Sequence, residues 1–309
     1  MPSPAPPPQS QSHSRASSSR VPALLEPHVA CGPLARDEGS LTLVTWVQGA
    51  SANWLLLRYL HSLLGSGPRT DDGGEDDVPG VVLVSFLRDA RFWMEGCARL
   101  GMDLDALCKS RRFGFVDGLT GLYAATMDSQ PPPSSSHSAP VPDGDGVIAG
   151  RGGGRTATAD AIKTQVDGAL SRLLPAPPGK RILLVDGLDA YVAMTPPGSA
   201  SEAESLLMGL RETVHSTLLT LAADEPLMQA AQQGTATATT SLEREQAALV
   251  LGQAHAADQV VSLRRLDTGA AADVSGVLRV ATRAGGDEGD ELLYHVSGDG
   301  SVRVFERGA

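Results

Sequence analysis

The chain runs to 309 residues, 41% of them hydrophobic, with 36 Asp and Glu against 25 Lys and Arg and a formal net charge of −11. That length can fill one large domain or two small ones, and a single core is the preferred reading. The acidic balance excludes unaided nucleic-acid binding over a broad basic face, leaving only local basic contacts.

Residues 1–22 are rich in Pro, Ser and Gln and read as a disordered tail. They lack the apolar run of a signal peptide, and no stretch approaches the roughly 20 apolar residues of a membrane span. A soluble, unsecreted protein is expected, placed in the cytoplasm with the nucleus as second compartment. Cys31, Cys97 and Cys108 are odd in number and match no zinc spacing, so they read as reduced, buried thiols.

The first element is a strand, Leu41-Thr-Leu-Val-Thr-Trp-Val47, running through Gln48-Gly-Ala-Ser-Ala-Asn-Trp54 into a helix at about 52–64. Residues 65–80 combine Gly with Asp71, Asp72, Glu75, Asp76 and Asp77 and read as a solvated insertion. Val81-Val-Leu-Val-Ser-Phe86 is a continuous apolar run, typical of a parallel strand covered on both faces. Helices at about 91–100 and 103–109 and a strand at 113–119 come next. An insertion follows at 128–158, then a helix at about 159–174 and the strand Arg181-Ile-Leu-Leu-Val-Asp186. Residues 202–215 carry Leu206, Leu207, Leu210 and Val214 on one helical stripe, ahead of a strand at 217–222. A third insertion, 229–241, precedes a helix at 242–256 and four strand-like pieces at about 259–266, 276–283, 291–296 and 301–306. Gly/Asp turns between the last three predict an antiparallel meander at the sheet edge. The expected fold is α/β: a RecA-like, mostly parallel twisted sheet in one domain over 40–309, with flexible insertions and a C-terminal antiparallel edge.

The strand–loop–helix at 41–54 has the layout of a phosphate-binding loop without its chemistry. Such a loop needs a Lys for the β and γ phosphates and a Ser or Thr hydroxyl for magnesium, and Gly49 has no following Gly-Lys-Ser/Thr. Asp186 ends its strand where a nucleotide hydrolase of this architecture holds the metal-side carboxylate. Gly49, Ser51 and Asp186 are therefore candidates for a vestigial nucleotide site. Each also has a structural reading: Ser51 or Asn53 as helix N-cap, and Asp186 as a strand-end residue ordering the next turn. Gly179-Lys180 precedes its strand and is no phosphate loop, and His255 reads as packed among the alanines of its helix. No cofactor and no metal spacing is indicated.

Several phrases together resemble the family of Elongator complex protein 6, a subunit of the assembly that modifies wobble uridines in transfer RNA. They are Phe113-Gly-Phe-Val-Asp-Gly-Leu119, Ile182-Leu-Leu-Val-Asp-Gly-Leu188, 254–266 with Thr268-Gly269, Asp273-Val-Ser-Gly-Val-Leu-Arg-Val280, and the ending Tyr294 to Gly308. The resemblance implies a non-catalytic RecA-like subunit. It would join two sister RecA-like subunits, the fourth and fifth, in a hexameric ring with two copies of each. The ring would support tRNA binding for the catalytic Elongator core. In ring-forming relatives the loops after the strands at 181–187 and 217–222 face the central hole. Here those loops, 188–201 and 223–242, carry almost no positive charge, with Arg244 at the edge of the second. Arg264 and Arg265 adjoin a strand, so one should face solvent as an RNA or subunit contact, with a plain salt bridge as the structural reading. The alternative function is a RecA-like ATPase whose site a neighbouring subunit completes in trans, and another sister such as the fifth Elongator subunit is a third reading.

Overall fold

The computed structural model describes residues 21–27, 38–65, 79–120, 148–149, 159–174, 181–196, 198–229, 239–266, 273–283 and 290–306. The first 20 residues, most of the segments expected as insertions, Cys31, Lys180, Thr268-Gly269 and 307–309 lie outside them.

In chain order the elements are β1 (Ser40–Trp46), α1 (Asn53–Leu64), β2 (Gly80–Ser85), α2 (Ala90–Arg99), α3 (Leu104–Lys109), β3 (Phe113–Asp117) and the two-residue β4 (Ile148–Ala149). There follow α4 (Ala159–Arg172), β5 (Arg181–Asp186), α5 (Leu188–Met194), α6 (Ser199–Arg211), β6 (Ser216–Ala222), α7 (Glu225–Gln229) and α8 (Ser241–Ala256). The C-terminal strands are β7 (Gln259–Arg264), β8 (Gly276–Thr282), β9 (Asp290–Val296) and β10 (Val302–Glu306). The ten strands among the described residues form one sheet in the order β10-β9-β8-β7-β1-β6-β5-β2-β3-β4. From β7 to β4 every pairing is parallel, and β7 to β10 form the antiparallel meander. The fold is α/β, a mostly parallel sheet with an antiparallel C-terminal edge, and the strand entering α1 is separated from the Asp186 strand by β6 alone.

The hydrophobic runs explain the layering. β2 and β6 are buried along their whole length, as a parallel strand covered on both faces requires. One core lies between the sheet and α1, α2 and α3 and extends under the meander to Leu278, Val280, Leu292 and Tyr294. The other packs the opposite face against α4, α5, α6 and α8, and includes the stripe Leu206, Leu207, Leu210 and Val214. Cys97 and Cys108 are free and buried in the first core, which pushes their thiols up to about 12 and about 11. Leu25, ahead of the expected domain start, is fully buried in that core too.

Caps set several helix starts. Asp89 accepts from the Phe92 amide and Asp103 from the Ala106 amide, while Thr240 and Glu243 form a reciprocal capping box. Each such cap stabilises its helix by about 1 kcal/mol. Arg58, 1% exposed on α1, donates to the Gly300 carbonyl at 2.8 Å and ties that helix to the β9–β10 turn.

Four local expectations need correction. The loop 188–201 contains α5 and the start of α6, because Leu188, Tyr191 and Val192 fall on one helical face and bury it. The loop 223–242 contains α7. The N-cap of α1 is Ala52, with no side-chain cap, and Ser51 Oγ instead accepts from the Asn53 amide at 3.2 Å. His255 is exposed in the last turn of α8, where an imidazole complements the helix dipole. Among the described residues no helix is long and apolar enough to cross a membrane.

Candidate functional site

The carboxyl ends of parallel strands are where an α/β sheet opens a crevice, and here the crevice forms where β1, β5 and β2 end. Strand pairing sets Ser85 of β2, Asp186 of β5 and Thr220 of β6 side by side. Ser85 Oγ donates to Asp186 Oδ2 at 2.8 Å and Thr220 Oγ1 donates to Oδ1 at 3.1 Å. Both hydroxyls then accept from the backbone: Thr220 Oγ1 from the Gly187 amide at 2.9 Å and Ser85 Oγ from the Arg88 amide at 2.9 Å. Asp186 is thus the centre of a buried network that fixes two loops. Burial holds its carboxyl above the ordinary range, opposed by the two hydroxyls and the Arg88 charge.

Above it lies a cleft of about 240 Å³ lined by Trp46, Gly49, Ser51, Asn53, Leu87, Arg88 and Asp186, with Ala52. The three sequence candidates Gly49, Ser51 and Asp186 therefore meet at one place. Gly49 has φ +88°, a left-handed conformation natural to glycine, and the aliphatic part of Arg265 lies over it, its Cδ 3.2 Å from where a Cβ would stand. The loop is held from below by Asp224, whose Oδ1 accepts from the Gln48 amide at 2.8 Å. Gly187, at φ +70°, turns the chain out of β5, and an added Cβ would sit 2.3 Å from Leu87 Cγ. Beyond Gly187, burial pushes the Asp189 carboxyl up to about 6, with Asp186 and Asp224 adding to the rise, and its Oδ1 is buried without a hydrogen-bond partner among the described residues.

Of the remaining candidates, Arg265 adjoins the cleft through Gly49, whereas Arg244 and Arg264 stand apart from the cleft-lining set. Arg264 pairs with Glu291 on the outer face of the meander, as its structural reading expects. Arg265, past the end of β7, is exposed as well, so the alternation expected for the pair stops at the strand end. Arg244 is exposed in the first turn of α8, away from the cleft-lining set. Sequence reasoning missed Arg88, whose guanidinium lies 5.2 Å from the Phe92 ring centre, and it missed the hydroxyl partners of Asp186. A polar residue closing an apolar run was the available signal for Ser85, but its partner becomes visible only through strand register. Among the described residues no group of three or more His, Cys, Asp or Glu could hold a metal ion.

No protein-family model and no curated protein sequence matches the chain. Solved structures do. An uncharacterised protein from Pyrococcus horikoshii, crystallised with an unknown peptide, is 12% identical with a TM-score of 0.55, over 93% of this chain and 98% of that one. A KaiC-like protein from the same organism is 12% identical with a TM-score of 0.48, over 87% of this chain and 90% of that one. The first likeness is one of fold. It spans nearly the whole of both chains.

Proposed function

We propose that the chain is a non-catalytic, RecA-like subunit of the Elongator accessory hexameric ring, supporting tRNA binding for wobble-uridine modification. The observation that carries the reading is the state of the nucleotide-type cleft. Asp186 is buried, which raises its carboxyl, and both its oxygens are already taken by the Ser85 and Thr220 hydroxyls. A carboxylate serving a metal ion needs the opposite. The loop Gln48-Gly-Ala-Ser-Ala-Asn53 offers no Lys, and the cleft, at about 240 Å³, falls below the 300–1,000 Å³ usual for ligand pockets. A RecA-like fold without nucleotide chemistry leaves assembly as its use, and the quoted sequence phrases supply the family. Its partners on this reading are the two sister subunits, the catalytic core and tRNA held by the assembled ring.

The ATPase alternative draws on one observation, the presence of Arg88 beside Asp186 in the cleft. Radiolabelled ATP turnover by the chain alone and by the ring separates the two. The proposal expects no turnover that depends on this chain, and activity lost on Asp186→Ala would overturn it.

A further inference from the structure

At the opposite end of the sheet, where the strands begin, the acidic chain gathers cations. Register places Arg112, Gly80, Arg181, His215 and Gly39 in one cross-strand row at the starts of β3, β2, β5, β6 and β1. The backbone confirms the row: Val81 donates to the Arg112 carbonyl at 3.0 Å, His215 to that of Arg181 at 2.8 Å, and Gly39 to that of His215 at 2.7 Å. Neighbouring strands lie about 4.8 Å apart, so Arg112 and Arg181 stand roughly 10 Å apart on either side of Gly80, where the buried Leu173 side chain takes the space a Cβ would fill. Arg211 joins them from the end of α6, its Nη2 donating to the Gly39 carbonyl at 3.0 Å.

Two features mark this place. The first is hydrogen bonding. Arg112 Nε and Nη2, Arg181 Nε, Arg211 Nε and His215 Nδ1 are all buried without a partner among the described residues. Guanidinium donors left so are costly, and a group of them in one place marks these partly buried arginines as short of acceptors. The second is backbone strain. Arg111 occupies the position after the α3 cap with φ 57°, its amide donating to the Cys108 carbonyl and the next amide to that of Leu107. Glycine is the usual residue of this left-handed helix end, so an arginine is kept there against its conformational preference. Its carbonyl also accepts from Leu174 at 2.9 Å, which brings the exposed end of α4 alongside.

We propose that this edge contacts RNA phosphates, with Arg112 and Arg181 as separate backbone-phosphate contacts either side of Gly80 and Arg111 and Arg211 at its flanks. Guanidinium forks match phosphate oxygens in geometry and charge. Such contacts supply affinity without reading sequence. The inference rests on the ring reading above for its RNA and gives it a location away from the cleft. The competing explanation is that the arginines only complement the C-terminal dipoles of α4 and α6.

The test uses the full chain, alone and assembled with its two sister subunits, titrated with bulk transfer RNA between about 50 and 200 mM salt. Arg111→Gly relieves strain, so its melting temperature should hold or rise while the slope of log affinity on log salt flattens by about 0.7–0.9. Arg112→Gln with Arg181→Gln should flatten it by about 1.4–1.8. A role limited to helix dipoles lowers melting temperature and leaves the slope alone. Unchanged slopes in folded variants of an RNA-binding ring overturn the inference and leave the ring reading intact, whereas failure to assemble at all sinks that reading. In that case the chain alone, at low salt, must still bind less RNA when the arginines are replaced. If instead the arginine variant melts lower, and neutralising Asp71, Asp72, Glu75, Asp76 and Asp77 removes that loss, the acceptor is the chain's own carboxylates and the proposal falls.

Discussion

Asp189 offers a stability test with a definite sign. Its folded carboxyl titrates at about 6 rather than 3.8, chiefly through burial and then through repulsion from Asp186 and Asp224. The folded state therefore holds its proton more tightly than the unfolded state does. Stability from this group is highest in acid and is lost as pH rises from about 4 to about 6. A tenfold change in proton affinity is worth about 1.36 kcal/mol, so the rise corresponds to roughly 3 kcal/mol at neutral pH. Asp189 is only partly buried, and halving the figure for solvent screening leaves about 1.5 kcal/mol. Asp189→Asn removes the charge and keeps the shape. It should raise the melting temperature by about 3–6 °C at pH 7.5, given about 2–4 °C per kcal/mol in a domain of this size. Circular-dichroism melts at low protein concentration from pH 4.5 to 8 provide the assay, and the gain should shrink towards pH 4.5. A variant no more stable than wild type at pH 7.5, or one with the same pH dependence, would refute the reasoning.

Gly187→Ala should lower the melting temperature by several degrees, because the left-handed backbone and a contact 2.3 Å from Leu87 Cγ together cost at least about 2 kcal/mol; an unchanged melt would show that the β5 turn is not so constrained. Leu293→Asp, on the outer face of the meander, should leave the chain folded and weaken assembly, whereas Leu292→Asp, in the core, should unfold it. Equal unfolding by both would remove the meander as an interface candidate. The chain alone should bind transfer RNA poorly at physiological salt and the ring should bind it well, by anisotropy; micromolar binding by the chain alone would contradict the need for assembly.

The fold was legible where the signal is local. Apolar runs such as 81–86 and 181–186 are long enough to name a strand, and the stripe at 206–214 names a helix without any partner. α5 was not legible, because Asp-Gly-Leu-Asp after β5 reads as a turn. Only the burial of Leu188, Tyr191 and Val192 against the second core makes it a helix. The cleft divided in the same way. Gly49, Ser51 and Asp186 carried motif outlines that sequence alone could place. The hydroxyls that tie down Asp186 lie 101 and 34 residues away, and their approach is a consequence of strand order. The cationic edge was equally hidden, since Arg112, Arg181 and His215 are unrelated along the chain until three parallel strands set them in register.

Assembly is the property from which the functional reading descends, so it should be measured first. Co-expression of the full chain with the two sister subunits, followed by native mass measurement, is expected to return a hexamer with two copies of each, and the chain should melt higher within it than alone. A stable, well-behaved monomer at high concentration that gains nothing from those partners would contradict the assignment.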